Sequence, residues 1–386
     1  MIERARDFRT HIGNRPLLLF HCASAGELEA LKPIAVALDR RRVTIAVSHF
    51  SPSARSAAKT GNEFDFADYS PIDTARIVND YLDALRPTVI AITKHDVWPN
   101  FVWLAHDRGI PVYLINGNFH AKSTKRWPLL RRFHAAVYSV FEEIMAVSEE
   151  DAQNAREIAG NGIRITNAGD ARYDRVLGRV QKQLPLPEGV ESFAAGKKVV
   201  IAGSTHPDDE ELLIPVIPKL KAQIPNLLVV IVPHDPSASA RRRIIAACRE
   251  NGLDICDAEQ GFADSKAAVM LINKTGILAD LYRIGAVAYV GGGFGKGVHS
   301  VLEPMAAGLP VVCGPQIVVS HEARMAKDED ILKIVTGRKQ VEHWITTWLN
   351  DIPVLQTISM QCREFVLKQS GVSQRIADKL MEHIHE

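Results

Sequence analysis

The stretch AYVGGGFGKGVHSVLEPMAAGLPVVCGP (288–315) decides the fold. A strand-like run ends in Gly291-Gly292-Gly293, and a second small-residue turn, Gly295-Lys296-Gly297, follows. A helix is expected to start near His299-Ser300 and to carry Glu303-Pro304, and Pro310–Cys313 reads as the next strand. Strand, glycine loop, helix and strand in succession form the repeating unit of a parallel α/β sheet, where ligands sit beyond the carboxyl ends of the strands. Glycines let a ligand approach the main chain, whose N–H groups and helix dipole can cradle a nucleotide's phosphate. Glu303, one turn into the helix, can accept hydrogen bonds from ribose hydroxyls, although no G-x-G-x-x-G opens the first helix of the chain. A bare glycine loop is a weak signal, but coupled to H-S-x-L-E-P and A-x-G-x-P-V-V it is a strong one.

Outward from this unit the same alternation covers the chain. Apolar strand-like runs occur at 198–203, 227–233, 268–274, 286–293 and 310–314, and earlier at 16–23, 43–50, 88–94, 111–117, 144–148 and 163–169. Segments such as ELEALKPIAVALDR and TARIVNDYLDAL lie between them, with apolar residues at three- and four-residue steps. Continuous apolar strands alternating with helices predict parallel sheets covered on both faces. The stretch 181–198, QKQLPLPEGVESFAAGKK, interrupts the pattern with Pro, Gly and charge and reads as a linker. The expectation is an α/β chain of two Rossmann-like domains facing a central cleft. From about residue 338 onward the pattern is helical.

Composition agrees with this and excludes other classes. A chain of 386 residues, 46% hydrophobic and 24% charged, is too long for one ordinary core. A formal net charge of +1 is not the footprint of a nucleic-acid-binding protein, and no nucleic-acid partner is expected. The five cysteines are widely spaced and form no C-x-x-C pair, and Cys22 and Cys313 lie in apolar runs that make them small buried hydrophobes. No apolar stretch reaches the ~18–20 residues of a membrane span. The opening MIERARDFRTHIGNR is charged and does not read as a signal peptide.

The strand exits carry the candidate chemistry. In HCASAGELEALKP (21–33), Ser24 and Gly26 form a small-residue turn and Glu27 opens a helix. Glu27 is either an acid projecting into the cleft or one that complements the helix dipole, and spacing alone favours the second. In TKHDVWPNF (93–101), Lys94 and Asp96 flank His95, and Pro99 starts a helix. This is either an ordinary strand–helix turn or an acidic wall of a pocket. Asn118 opens NFHAKSTKRWPLLRRFH (118–134), where Lys122, Lys125, Arg126, Arg131 and Arg132 interleave with aromatic and apolar residues. That pattern suits a membrane interface or an anionic head group, and a solvated amphipathic helix equally. In the second half, Gly203-Ser204-Thr205-His206 precedes a helix and forms a ready anion site, while the acidic run Asp208–Glu211 reads as a charged first turn. No His/Asp/Glu set shows metal-ligand spacing, so no metal and no cofactor are expected.

Taken together, SAGELEALKP, DVWPN, AGDARYD, AGSTHPDDEE and GVHSVLEPMAAGLPVVCGP resemble the 3-deoxy-D-manno-octulosonic acid (Kdo) transferases, glycosyltransferases of the GT-B fold. The resemblance covers about residues 15–330. It implies an inverting enzyme that moves Kdo from CMP-Kdo to a lipid A precursor in lipopolysaccharide biosynthesis. It further implies a peripheral protein on the cytoplasmic side of the bacterial inner membrane, touching an anionic membrane surface. It implies an acceptor-binding domain at 1–175, a nucleotide-sugar-binding domain at 176–365, and a helix at 366–386 packing back on the first domain.

Residue by residue, Glu27 matches the family's general base and Asp96 its second acid. Lys94 stands where the family has the first acid, and Asn118 where it has Arg. Arg172 stands for a Lys before Tyr173-Asp174. The resemblance places the acceptor at Ser24, Gly26, Lys94, Asn118, Lys125, Arg126 and Arg172. It places the donor at Ser204, Thr205, His206, His234, Gly276, Gly292, Gly293, Gly297, His299, Ser300, Glu303 and Glu322. His234 occupies a family Arg position, and Ser300 a family Asn position. Two alternatives stand beside this reading: a UDP-sugar 2-epimerase-like enzyme of the same fold, and a non-catalytic nucleotide-sugar-binding relative.

Overall fold

The computed structural model describes residues 1–384 apart from 59–61, 95, 121–122, 161 and 262–265, and it leaves the side chains of Ser56, Arg126 and Leu129 undescribed. His95, Lys122 and the Arg126 side chain therefore lie outside the described residues. The chain forms two compact units, Met1–Arg175 with Gln369–Glu386, and Val176–Lys368.

The first unit holds β1 (Leu17–Cys22), β2 (Thr44–His49), β3 (Phe66–Tyr69), β4 (Val89–Thr93), β5 (Val112–Gly117), β6 (Glu143–Ala146) and β7 (Arg164–Asn167). Their order is β3-β2-β1-β4-β5-β6-β7, and every pairing is parallel. The second unit holds β8 (Lys198–Thr205), β9 (Leu227–Pro233), β10 (Ile255–Asp257), β11 (Val269–Leu271), β12 (Val287–Val290), β13 (Val311–Cys313) and β14 (Leu332–Ile334). Their order is β10-β11-β9-β8-β12-β13-β14, again all parallel.

In each sheet the strand order reverses direction beside the unit's first strand. The chain steps outward from β1 through β2 to β3, then returns to lay β4 on the other side of β1. Around β8 it passes to β9, on to β10 at the edge and back to β11 between them, and then lays β12 on the other side of β8. Adjacent loops there leave in opposite directions and open a crevice at the carboxyl ends of the strands. The two crevices, at β1/β4 and at β8/β12, belong to separate units.

The inner strands are buried on both faces, which is why they read as continuous apolar runs. In the first sheet β1, β2, β4 and β5 are buried throughout. Leu17, Leu19 and Ile90 face one core, with Val78 and Phe101. Leu18, Phe20 and Val89 face another, with Leu28, Ile376 and Leu380. The last two belong to the helix Val372–Met381, which Asp174 starts by accepting the N–H groups of Gly371 and Ser373, both at 2.6 Å. In the second unit, Val200, Val229 and Tyr289 pack with Ile217, Ile345 and Trp348.

Three strands escape sequence reading: β3, β10 and β14. Each lies at a sheet edge and is three or four residues long. Edge strands need no continuous apolar run, because water can satisfy their outer main-chain groups. The expected linker is also different in the structure. Residues 181 and 182 finish the helix Arg172–Lys182, and Val190–Ala194 is a short helix. The Leu184 N–H bonds Asp280 at 3.1 Å, and Arg283 pairs with Glu191 at 2.6 Å, so this Pro- and Gly-rich stretch is anchored to the second unit. All five cysteines are buried and free, and burial pushes the thiols of Cys22 and Cys313 up to about 12. That matches their reading as inert core residues.

Candidate active site

At the exit of β1, Ser24 adopts an extended conformation and caps the helix Ala25–Ala37, its side chain accepting the Glu27 N–H at 3.4 Å. Glu27 reaches back, and its Oε2 accepts the Ala23 N–H at 2.7 Å. This is a capping-box arrangement, an Ser-x-x-Glu pattern fixing its own helix start, displaced by one residue on the return bond. The carboxylate is held by local main chain with the residue only 6% exposed. No hydrogen bond to its Oε1 is seen among the described residues. Gly26 is exposed, and a Cβ there would meet nothing within 4 Å. The turn therefore leaves open space beside a fixed carboxylate.

Beside it, at the exit of β4, Lys94 sits at φ 62° while its N–H completes the sheet to Ile115 O at 2.9 Å. A left-handed lysine is a conformation that most residues avoid, and such positions cluster at functional sites. Asp96 follows, in the turn before the helix Pro99–Asp107, whose first N–H groups are capped by Asp73. Burial lowers the pKa of Lys125, and the charge of Asp96 works against that shift. Lys125 also donates to Tyr138 Oη at 3.0 Å. Lys125 is thus a half-buried partner of Tyr138 in the field of Asp96, not a free surface cation.

The exit of β5 adds one residue that the sequence did not single out, Asn116, to Asn118. Asn116 has φ 50° and is buried; its Oδ1 accepts the Ala171 N–H at 3.3 Å, and its Nδ2 is buried without a partner. Asn118 Oδ1 is likewise buried and unpartnered. Buried amide groups left unmatched are uncommon and call for an explanation, and a ligand is one. Arg172 is engaged by Asp170, with Nε and Nη2 both at 2.7 Å from Oδ2. On the helix Pro128–Tyr138 and the residue before it, Trp127, Leu130 and Phe133 are 63%, 41% and 46% exposed, alongside exposed Arg131 and Arg132.

The second unit's site is built around Ser204, Asp209 and the glycine loop. Ser204 has φ 52° and bulges out of β8, where pairing with β9 slips between Gly203 and Thr205. Thr205 is buried, and its hydroxyl is committed to Glu210 at 3.1 Å; Glu210 in turn holds Arg243 at 2.7 Å. Asp209 is fully buried. Its Oδ1 accepts the Tyr289 hydroxyl at 2.8 Å, and its Oδ2 accepts the N–H groups of Gly292 at 2.8 Å and His206 at 2.9 Å. The acidic run is the charged first turn of the helix Pro207–Leu213, with Asp208 exposed and Asp209 and Glu210 buried. Asp209 is the clasp that joins the β8 exit to the β12 exit.

The glycines answer to close backbone packing. A Cβ on Gly291 would lie 2.2 Å from Ser204 O, and one on Gly293 would lie 2.6 Å from Gly314 N. Several loop N–H groups are already used: Gly291 bonds Gly203 O, Gly292 bonds Asp209, and Gly295 and Gly297 bond Gly292 O. The following helix starts later than expected, at Leu302, and spans only Leu302–Ala307, so His299 and Ser300 precede it. Glu303 is half-buried in its first turn, and its charge adds to the burial that raises the Tyr282 pKa. Glu322 is buried at the start of the helix His321–Asp328. Gly276, beyond β11, has φ 78° and gives its carbonyl to Arg179 at 3.1 Å.

His206, His234 and His299, which the sequence spreads over three segments, come together. Their ring centroids are 4.7, 5.1 and 4.2 Å apart for the pairs 206–234, 206–299 and 234–299, and the rings of His206 and His299 meet end to end. His206 Nε2 and His299 Nε2 are 2.8 Å apart. Burial, then the charges of His234 and His206, lower the His299 pKa, with Asp209 opposing. Side-chain nitrogens of these three residues all lie within 4.8 Å of one another, a grouping absent from the sequence spacing. Sequence spacing could not reveal the cluster, because β8, β9 and β12 are brought side by side only by the strand order.

A family profile described as 3-deoxy-D-manno-octulosonic-acid transferase (kdotransferase) matches residues 3–175. The chain is 24% identical over 379 residues to the 3-deoxy-D-manno-octulosonic acid transferase of Haemophilus influenzae, covering 95% of this chain and 87% of that protein. It is 26% identical over 317 residues to the enzyme of the same name from Chlamydophila psittaci, covering 79% and 71%. Among solved structures, it is similar to the UDP-GlcNAc 2-epimerase of Neisseria meningitidis bound to UDP-GlcNAc, with a TM-score of 0.68, 16% identity and coverage of 95% and 100%. At that identity the likeness shows the fold.

Proposed function

This chain belongs to the Kdo transferase family of GT-B glycosyltransferases, and from that premise we propose that it transfers Kdo from CMP-Kdo to a lipid A precursor. The observation that carries the chemistry is Glu27: a carboxylate fixed through Oε2 by its own helix start, beside open space at the crevice of the first sheet. In this reading Glu27 removes the proton from an acceptor hydroxyl through Oε1. The oxygen forms a bond to the anomeric carbon, the bond from that carbon to the phosphate oxygen breaks, and CMP leaves with the electron pair. Attack opposite the leaving group inverts the anomeric centre. General-base help of this kind is worth ~10²–10⁴-fold.

The donor falls to the second unit. Ser204, His206, Ser300 and the N–H groups of the glycine loop that the fold leaves uncommitted meet the phosphate, where preorganised donors stabilise the departing charge. Glu303 meets the ribose. Thr205 and Gly292 act by shaping the loop, since Glu210 and Asp209 already occupy their polar groups. The acceptor falls to the first unit, with Asn116 and Asn118 offering unmatched amides and Lys94, Lys125 and Asp96 setting the charge.

Among the described residues no helix is long and apolar enough to cross a membrane. Trp127, Leu130 and Phe133, exposed next to Arg131 and Arg132, support a reading of peripheral contact with an anionic leaflet at the cytoplasmic face of the inner membrane. Turnover of freshly generated CMP-Kdo with a tetra-acylated lipid A precursor, read by mass spectrometry of the lipid, tests the function. A gain of one or more Kdo units is expected. No gain while CMP still binds sinks the assigned acceptor.

A further inference from the structure

We infer that His206 is a positioning residue: it fixes the tautomer of His299, so that His299 offers its Nδ1–H as a set donor to an oxyanion at the β8/β12 crevice. The oxyanion half of this inference rests on the reading of the second unit as the donor site. The tautomer half stands on the histidines alone.

The chain of hydrogen bonds gives the proton positions. His206 is the N-cap of the helix Pro207–Leu213; its side chain accepts the Asp209 N–H while the Asp209 carboxylate accepts the His206 N–H. Its Nε2 meets His299 Nε2 at 2.8 Å, so the nitrogen that accepts from Asp209 is Nδ1. A ring nitrogen that accepts carries no proton, and a neutral ring then holds its one proton on the other nitrogen. His206 is therefore the Nε2–H tautomer and donates to His299 Nε2. His299, with that nitrogen taken up as an acceptor, carries its own proton on Nδ1. The two rings lie end to end, their planes 7° apart and their centroids 5.1 Å apart, which aims the N–H of one at the lone pair of the other.

The surroundings of His299 hold it in that state. Burial, and then the neighbouring histidines, oppose its positive charge, so the ring stays neutral and has a tautomer to fix. Its Nε2–Cδ2 edge lies against Gly292, where a Cβ would sit 3.1 and 3.0 Å from those atoms, and Nδ1 is the ring atom opposite that edge. The His299 N–H is tied to Gly291 O at 3.1 Å, and the ring of exposed His234 covers the imidazole at 4.2 Å. No hydrogen bond to His299 Nδ1 is seen among the described residues, and the residue is only half-buried, so the donor is open to a ligand. A lone pair at that place would repel an oxyanion, whereas an N–H binds one. What His206 brings to the phosphate it brings through His299.

The test reads the tautomers directly, by long-range ¹H–¹⁵N correlation of the full chain with ¹⁵N-labelled histidine at neutral pH and without nucleotide. His206 is expected in the Nε2–H pattern and His299 in the Nδ1–H pattern. His206→Asn keeps an N-cap acceptor but is too short to reach His299, and should return His299 to the Nε2–H form that free imidazole side chains favour. His206→Gln, whose amide nitrogen falls near the place of Nε2, should keep His299 as Nδ1–H. CMP affinity by calorimetry should fall ~10-fold or more in His206→Asn and stay within about 3-fold of the parent in His206→Gln. His299 as Nε2–H in the parent, or as Nδ1–H in His206→Asn, overturns the lock. Spectra as expected with CMP affinity unchanged in His206→Asn overturn the oxyanion half. A parent chain that binds no CMP defeats the donor reading, and the spectra still decide the tautomer.

Discussion

The exits of β1 and β8 occupy equivalent places, each beside the strand where its sheet reverses order, yet they are secured in opposite ways. At β1 the turn is self-contained. Ser24, Ala23 and Glu27 bond one another within five consecutive residues. At β8 the turn is held from a distance. Asp209 grips Gly292 and Tyr289, and His206 meets His299, residues that lie on another strand and its loop. A local turn can carry a reactive group whose loss leaves the fold intact. A turn clasped across strands ties the binding loop to the stability of the whole unit.

Glu27→Gln presses hardest on this contrast. The amide oxygen of Gln can still accept the Ala23 N–H, so stability should stay near that of the parent. Turnover of CMP-Kdo should fall by ~10²–10⁴-fold, measured at saturating donor. Unchanged turnover would reduce Glu27 to a helix-start acid that only complements the dipole, the reading that spacing alone favours.

Asp209→Ala tests the other side. It strands the Tyr289 hydroxyl and the N–H groups of Gly292 and His206, each buried or half-buried. Unmatched buried donors cost ~1–3 kcal/mol each, so the loss should reach about 3 kcal/mol or more in urea unfolding. Amide exchange at Gly292 should quicken first. Asp209→Asn, which keeps one acceptor oxygen, should lose less. Exchange at Gly292 that matches the parent in both variants would mean that the loop stands without its clasp.

The smallest effect belongs to Ser24→Ala. Its cap bond is long, 3.4 Å, and the change removes one acceptor at a helix start. A loss of about 1 kcal/mol is expected. If turnover falls by much more than the stability change explains, Ser24 touches the acceptor as well as the helix.

The legible parts of the molecule share one property, and the illegible parts lack it. Inner strands such as LLLFHC and LLVVIVP announce themselves because burial on both faces demands unbroken apolar runs. FADY, ICD and LKI do not, since an edge strand can leave one side to water. Among candidate site residues, the spacing of Ser24 and Glu27 marked a helix start, and only the family resemblance pointed to Glu27 as a base. Asn116 gave no signal beyond its place at a strand end, and Asp209 was hidden inside an acidic run that looks like a solvated helix start. Thr205, legible as a binding hydroxyl, turned out to be spoken for by Glu210.

By itself the sequence determined that this chain is an α/β protein with parallel sheets, that its candidate site residues stand at strand exits, and that it resembles the Kdo transferases. The sheets follow from side-chain periodicity, which a linear string records directly, and the resemblance rests on the matched motifs themselves. Only the tertiary structure decided that Asp209 is a buried clasp, that Gly293 must be glycine because Gly314 lies against it, and that three distant histidines meet in one cluster. Those facts depend on the order in which strands lie side by side, and the free energy that fixes that order is spread over whole packed faces of each sheet instead of being written at any one position.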